Sequence, residues 1–328
     1  MPDWVTHLGT TYIAAHAIRR ARPELARGVD MRHLLLGALL PDAARFTIIL
    51  VDVLHWPAIP TFTYLIPFHS LLITALLAMA IALFMPARSN FRPERAEESR
   101  LKSGLLKWLT GSRWTFGWIM VGAAWHLFLD DVEGLVGCGS TTFYPFYFGK
   151  PLSGWDSEGQ LATLLLVVSA MALGLALARR REWPPLILRL TWRRLAGATV
   201  LVITALILPL FFRGWMVEQN AYSLGFVTHR AAFEGQSVEL CFSQVIAADP
   251  PTIVEFDRPF ILQTPAAFTV GEWVSVRGIY EHGASWPTTL IRYQGFGDVS
   301  LSLVGAAVFG VLMFDRQYLN IFKRNGVV

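Results

Sequence analysis

His126 and Asp130 stand four residues apart in an apolar segment that runs from Trp114 to about Leu135. Four residues is just over one helical turn, so on a helix the imidazole and the carboxylate share a face. That spacing suits two ligands of one ion. Glu133, seven positions after His126, falls on the same face, whereas Asp131 does not and is expected at the headgroup boundary. Other ionisable residues interrupt apolar stretches elsewhere: His7 near the start of the chain, Asp42 directly after Pro41, and His69 just after Pro67. An ionisable group at membrane depth is costly and tends to be functional. A single buried histidine is more often a packing residue; the joint occurrence of these residues is what points to an ion. Three imidazoles and two carboxylates form a ligand set for one or two divalent ions, best suited to zinc. An ion of this kind brings the pKa of a bound water to about 7 and so generates a nucleophile. Asp42 or Asp130 would combine ligation with general-base duty. His16, His33, His55, His229 and His282 read as packing or surface residues.

The elements that must position these groups are apolar helices. The chain has 328 residues, of which AVILMFWYC make up 54 % and DEKR only 16 %, against roughly 25 % charged residues in soluble domains. Mean hydropathy is +0.45. These figures exclude a disordered chain and argue against an ordinary soluble enzyme. Two cysteines exclude a disulfide scaffold and a four-cysteine zinc module. Four segments carry no formal charge and approach bilayer length: Leu65–Met85, Gln160–Ala178, Leu195–Phe212 and Val299–Phe314. Trp114 to Leu135 is a fifth, and Trp4–Ile18 and His33–Trp56 are weaker, the latter kinked at Pro41. No basic region precedes the first apolar stretch, so a cleavable signal peptide is not expected.

Of the 28 Lys and Arg, 21 fall in four connections: Arg19–Arg32, Arg88–Arg113, Arg179–Arg194 and Arg316–Arg324. A seven-span path puts all four on one side, which the positive-inside rule makes cytoplasmic. The expectation is a mainly α polytopic bundle in the inner (cytoplasmic) membrane, with the amino terminus outside and the carboxyl terminus inside. If the first two segments are interfacial or re-entrant, the later sidedness is unchanged.

Arg213 to Asp298 reads differently. Val238–Ala247, Thr252–Phe256, Phe260–Gln263, Trp273–Tyr280 and Thr289–Tyr293 are short runs rich in Val, Ile, Phe and Thr, separated by turn residues. They predict a small antiparallel β domain of about five strands, similar to an OB-type barrel. Its five Arg and nine Asp or Glu give a net charge of −4. An acidic module lacks the basic footprint of nucleic-acid binding, so no nucleic-acid partner is expected, and a lid, docking surface or substrate-access module is preferred. The organisation is then a helical membrane domain over 1–212, an external β domain over 213–298, and a last span with its tail over 299–328. Cys138 and Cys241 both fall outside in this path; a disulfide and two free thiols are both open.

Four stretches carry a family resemblance: "WVTHLGTTY", "LLLGALLPDAAR", "FHSLLITALLA" and "AAWHLFLDDVEGLVG…FYPF". In this order they resemble the motifs of the membrane-bound metal-dependent hydrolase family, over roughly Trp4 to Phe146. The order of His, Asp, His and His-x-x-x-Asp is also similar to that of zinc-dependent phospholipase C and related zinc nucleases, which cleave phosphoesters. The resemblance implies that His7, Asp42, His69, His126 and Asp130 are metal ligands, with Ser70 and Glu133 as supporting groups behind them. It also implies a membrane lipid or a lipid-linked phosphoester as substrate. The chain departs from the family pattern at Tyr64 to Ser70, which lacks the His-Arg pair usual upstream of the histidine. Two other readings stay open: a metal or proton transporter, and a non-catalytic scaffold whose working part is the β domain. Walker A, Rossmann and Gly-x-Ser-x-Gly patterns are absent from the sequence.

Overall fold

The structure, a computed structural model, describes residues 4–22, 30–44, 47, 58–85, 104–132, 142–143, 160–180, 183, 191–220, 223–293 and 297–313. The amino-terminal two thirds form a body of apolar helices. α1 spans Trp4–Ala21 and α2 spans Met31–Leu39. Asp30 caps α2 by accepting from the Arg32 N–H at 3.0 Å. Pro41 cannot continue an α-helix, and the chain tightens there into a 3-10 turn over Leu40–Ala44. Of the expected segment His33–Trp56, the part beyond Ala44 lies almost wholly outside the described residues.

The expected span Leu65–Met85 is not one helix. α3 (Ala58–Leu65) passes into a 3-10 turn at Ile66–Phe68, and α4 (Leu71–Phe84) starts afresh, bent by 63° from the segment before it. Pro67 sits in this turn and Ser70 caps the new helix. His69 therefore lies in the break, not one turn inside a helix. α5 (Gly104–Val132), α6 (Gln160–Arg179) and α7 (Trp192–Phe211) follow, and α10 (Gly297–Met313) closes the described chain. α5 begins earlier than the Trp114 start expected for it.

α1 packs on α6 and α10, α2 lies along α5, and α4 packs on α5 and α7. The α2–α5 crossing is close because small residues face backbone. A Cβ on Gly37 would overlap the Ile119 carbonyl, and one on Gly122 would overlap the Leu34 carbonyl. Around α1, a core of Trp4, Leu8, Tyr12, Leu35, Leu173 and Leu312 joins four helices.

By length and hydropathy, α7 alone among the described helices can cross a membrane, and the bent α3–α4 pair is a second candidate if taken as one span. Two apolar helical stretches, Thr163–Arg179 and Ser300–Met313, are shorter. Helix length therefore does not establish the expected seven spans. The outer faces are nevertheless apolar: Leu164, Val167, Met171 and Leu175 of α6 stand exposed in one stripe, as do Val200, Ile203 and Phe211 of α7. Apolar stripes of this extent are rare on soluble proteins.

After the short helices α8 (Arg213–Glu218) and α9 (Leu224–Thr228) comes the barrel: β1 Ser237–Ala248, β2 Pro251–Glu255, β3 Arg258–Leu262, β4 Trp273–Glu281 and β5 Ala284–Tyr293. The strands close in the order β1-β2-β3-β5-β4, with β1 paired to both β2 and β4. The expected all-antiparallel domain needs one correction: β3 and β5 pair in parallel, which shuts the barrel. β5 also begins five residues before Thr289. Pro287 breaks the sequence signal for a strand, but the ladder slips register beside it, and Gly278 opposite gives it room. Val238, Leu240, Val245, Ile253, Val274 and Val276 fill the interior, and Phe226 of α9 packs on Phe233, Phe260 and Tyr280. The barrel meets the helices through α3, where the Phe62 and Phe256 rings lie 4.8 Å apart. Cys241 is disulfide-bonded; the chain's other cysteine, Cys138, lies outside the described residues.

Candidate metal centre

The structure brings His7, Asp42, His69, His126 and Asp130 into one cluster. Each comes from a different local device. α1 carries His7 at the end of its first turn, three residues after Trp4. The 3-10 turn after α2 carries Asp42 and turns it inward, where it is buried. The Pro67–Ser70 break aims His69 at the same point, and the last two turns of α5 supply His126 and Asp130 on one face.

The distances are those of a shared centre. His69 Nε2 lies 3.1 Å from His126 Nε2. Asp42 Oδ1 lies 3.7 Å from His69 Nε2 and 3.8 Å from His126 Nε2. Asp130 Oδ2 lies 2.6 Å from His69 Nε2 and 3.3 Å from His126 Nε2. Asp130 Oδ1 lies 3.3 Å from His7 Nε2. Two ligands on a tetrahedral zinc, with bonds of about 2.0–2.1 Å, stand about 3.3 Å apart. The pairs in this cluster bracket that edge length.

Hydrogen bonding supports the same reading. The His126 Nδ1–H donates to the Ala38 carbonyl at 2.6 Å. This fixes the tautomer and leaves Nε2 with its lone pair turned to the cluster. The His7 ring stacks on that of His126 at 3.7 Å between centroids. Trp4 Nε1 donates to Asp42 Oδ2 at 2.8 Å. Among the described residues, the buried His7 Nε2 and both buried carboxylate oxygens of Asp130 meet only other members of the cluster, at 2.6–3.3 Å. Buried polar atoms ordinarily find partners outside their own kind, and a set of electron-pair donors that face chiefly one another needs an explanation. A divalent ion is the partner that satisfies nitrogen and carboxylate lone pairs together. The residues therefore fit such an ion.

His7 and His126 are wholly buried, while the side chains of His69 and Asp130 keep 12 % and 10 % exposure. His69 and Asp130 are thus the least buried members of the cluster. Ser70 does not stand behind a ligand as expected: its hydroxyl donates to the Pro67 carbonyl at 2.6 Å and accepts from the Ile73 N–H at 3.3 Å. It shapes the break that presents His69. Glu133 lies outside the described residues. Asp131, expected at the headgroup boundary, is buried. His33 is buried beside Asp30, His16 packs on Tyr12, and His282 is on the surface. Sequence reasoning missed Trp4 and the Ala38 carbonyl. Trp4 had a signal, since it precedes His7 by three residues and shares its helix face; a backbone carbonyl has none.

Outward apolar faces around a buried histidine–carboxylate cluster define a membrane protein with an internal polar centre. More particularly, the chain belongs to the YdjM inner membrane protein family, whose model matches residues 1–220. The match contains all five clustered residues and ends before the barrel. No curated protein and no solved structure matches the chain.

Proposed function

We propose that this inner-membrane protein is a metal-dependent hydrolase of phosphoester substrates, with lipid or lipid-linked phosphates as the substrate class. The observation that carries the reading is the convergence of three imidazoles and two carboxylates, with ligand-like spacing, in a buried cluster. A divalent ion, with zinc the best suited, would be held by His7, Asp42, His69, His126 and Asp130. When bound it supplies Lewis-acid polarisation of a phosphoryl oxygen and makes water a better nucleophile. The chain's own residues do the rest. His126 is held in one tautomer by Ala38. Asp130, the less buried of the two carboxylates, is placed to take a proton from water, with Asp42 as the second. The buried imidazoles of His7 and His126 keep bulk water from their side of the cluster.

Polytopic insertion, with the amino terminus and barrel outside, belongs to the same proposal. Arg19 and Arg20 end α1 and Arg179 ends α6, whereas His7 sits at the start of α1. The cluster thus lies toward the helix ends remote from the positive charges, as the positive-inside rule requires for an outward-facing site. Exposed apolar stripes on α6 and α7 are the lipid-facing surfaces, and the strand order of the barrel is that of an OB-type module. The test is turnover of a phosphodiester and phospholipid panel by detergent-purified protein with zinc or manganese. Turnover lost in His126→Ala supports the proposal; no turnover above that variant with any metal sinks it. Ion flux in proteoliposomes without turnover would favour a transporter.

A further inference from the structure

We propose that Trp4 is a positioning residue of the metal centre, clamped between the carboxyl-terminal helix and Asp42 so that one defined carboxylate oxygen faces the ion. The inference rests on the metal reading above. Trp4 is buried, at 6 % exposure. Its indole N–H, which can only donate, binds Asp42 Oδ2, while Oδ1 of the same carboxylate faces His69 and His126. A carboxylate on a short 3-10 turn could otherwise rotate and offer either oxygen, or both. A neutral donor on one oxygen selects the other without cancelling the charge.

The helix start that carries the indole is itself held from behind. A Cβ on Gly305 of α10 would overlap Cβ and the backbone of Trp4. Only a glycine lets α10 lie this close to the first turn of α1. α10 is outside the family match, which ends at residue 220. The part of the chain beyond the matched region therefore returns to touch the residue that orients a ligand. Trp4 and His7 share one face of α1, so a single helical turn supplies both a ligand and the group that aims another.

Donors behind a ligand are worth roughly 10–100-fold in metal affinity. The experiment uses the full chain in detergent, with zinc affinity read by chelator competition and the ligand field read from the visible spectrum of the cobalt form. Trp4→Phe keeps an aromatic ring and removes the donor. It is expected to weaken zinc binding by about 10–100-fold and to change the cobalt spectrum. Leu8→Ala opens a cavity in the same helix without touching the hydrogen bond; it is expected to lower the melting temperature and leave affinity and spectrum unchanged. Gly305→Ala, which touches no ligand, is expected to weaken zinc binding in the same direction as Trp4→Phe and serves as the second variant if the latter does not fold. The inference is overturned if Trp4→Phe or Gly305→Ala binds zinc within about twofold of wild type, or if Leu8→Ala loses as much affinity as they do. Wild type that takes up no metal overturns the metal reading itself, a separate outcome.

Discussion

The histidine–carboxylate cluster of the helical body and the interior of the barrel bury polar groups in different ways. In the barrel, buried polar atoms are mostly matched locally: Ser243 Oγ donates to Glu255 Oε2 at 2.5 Å, and the Phe242 N–H donates to Ser275 Oγ at 2.9 Å. In the cluster of the helical body, the buried polar atoms of His7 and Asp130 meet chiefly one another and the rings of His69 and His126. Burying an unmatched polar group costs roughly 1–3 kcal/mol, and more if it is charged. The barrel's polar groups stabilise its fold. The body's cluster packs lone pairs against lone pairs, which is a cost to its fold that the proposed ion would offset.

The sharpest way to break that contrast is to remove the cluster. The double variant His126→Ala, Asp130→Ala is expected to lose all bound transition metal, read by elemental analysis against wild type. Full retention of metal would place any ion elsewhere. Second in size, Phe226→Ala removes a wholly buried ring from the barrel. It should destabilise that domain by about 3–5 kcal/mol while the helical body keeps its metal. Calorimetry in detergent paired with metal stoichiometry checks both halves, and metal lost together with the barrel would mean the two regions are not separable.

A smaller effect is expected at the α2–α5 crossing. Gly122→Ala forces a Cβ against the Leu34 carbonyl and should cost about 1–3 kcal/mol. Gly117→Ala on the same helix meets nothing within 4 Å. There the substitution should be neutral or stabilising by up to about 1 kcal/mol, because alanine is the better helix former. Equal melting temperatures for the two variants would remove close approach as the reason α2 reaches α5. The smallest change is Glu239→Gln, which breaks an exposed ion pair with Arg277 on the barrel surface. It should shift stability by less than about 1 kcal/mol and leave metal binding untouched.

Much of this contrast is legible in the sequence, though not evenly. The strands of the barrel show as alternating Val, Ile and Phe between turn residues, because a strand's side-chain period is local. Pro287 hides the first half of β5 because its accommodation depends on Gly278, on another strand. The parallel β3–β5 closure is hidden too, since pairing partners are not written in either run. In the body, the His126–Asp130 pair is readable because one helical turn relates the two. His69 is readable as a residue type but misplaced, since the bend at Pro67 and Ser70 is what aims it.

What the sequence by itself determined is the inventory: five ionisable residues set in apolar segments, the i, i+4 pair among them, the acidic strand-rich region, and the gathering of Lys and Arg into four connections. These follow from composition and short periods, which need no partner. Only the tertiary structure decided that the five residues meet, that Ala38 and Trp4 orient two of them, and that Ser70 serves the backbone break. Those outcomes depend on how closely two helices approach and where a chain turns. Gly37, Gly122 and Gly305 control such approaches through atoms they lack, and what a missing side chain permits is visible only once the neighbour is in place.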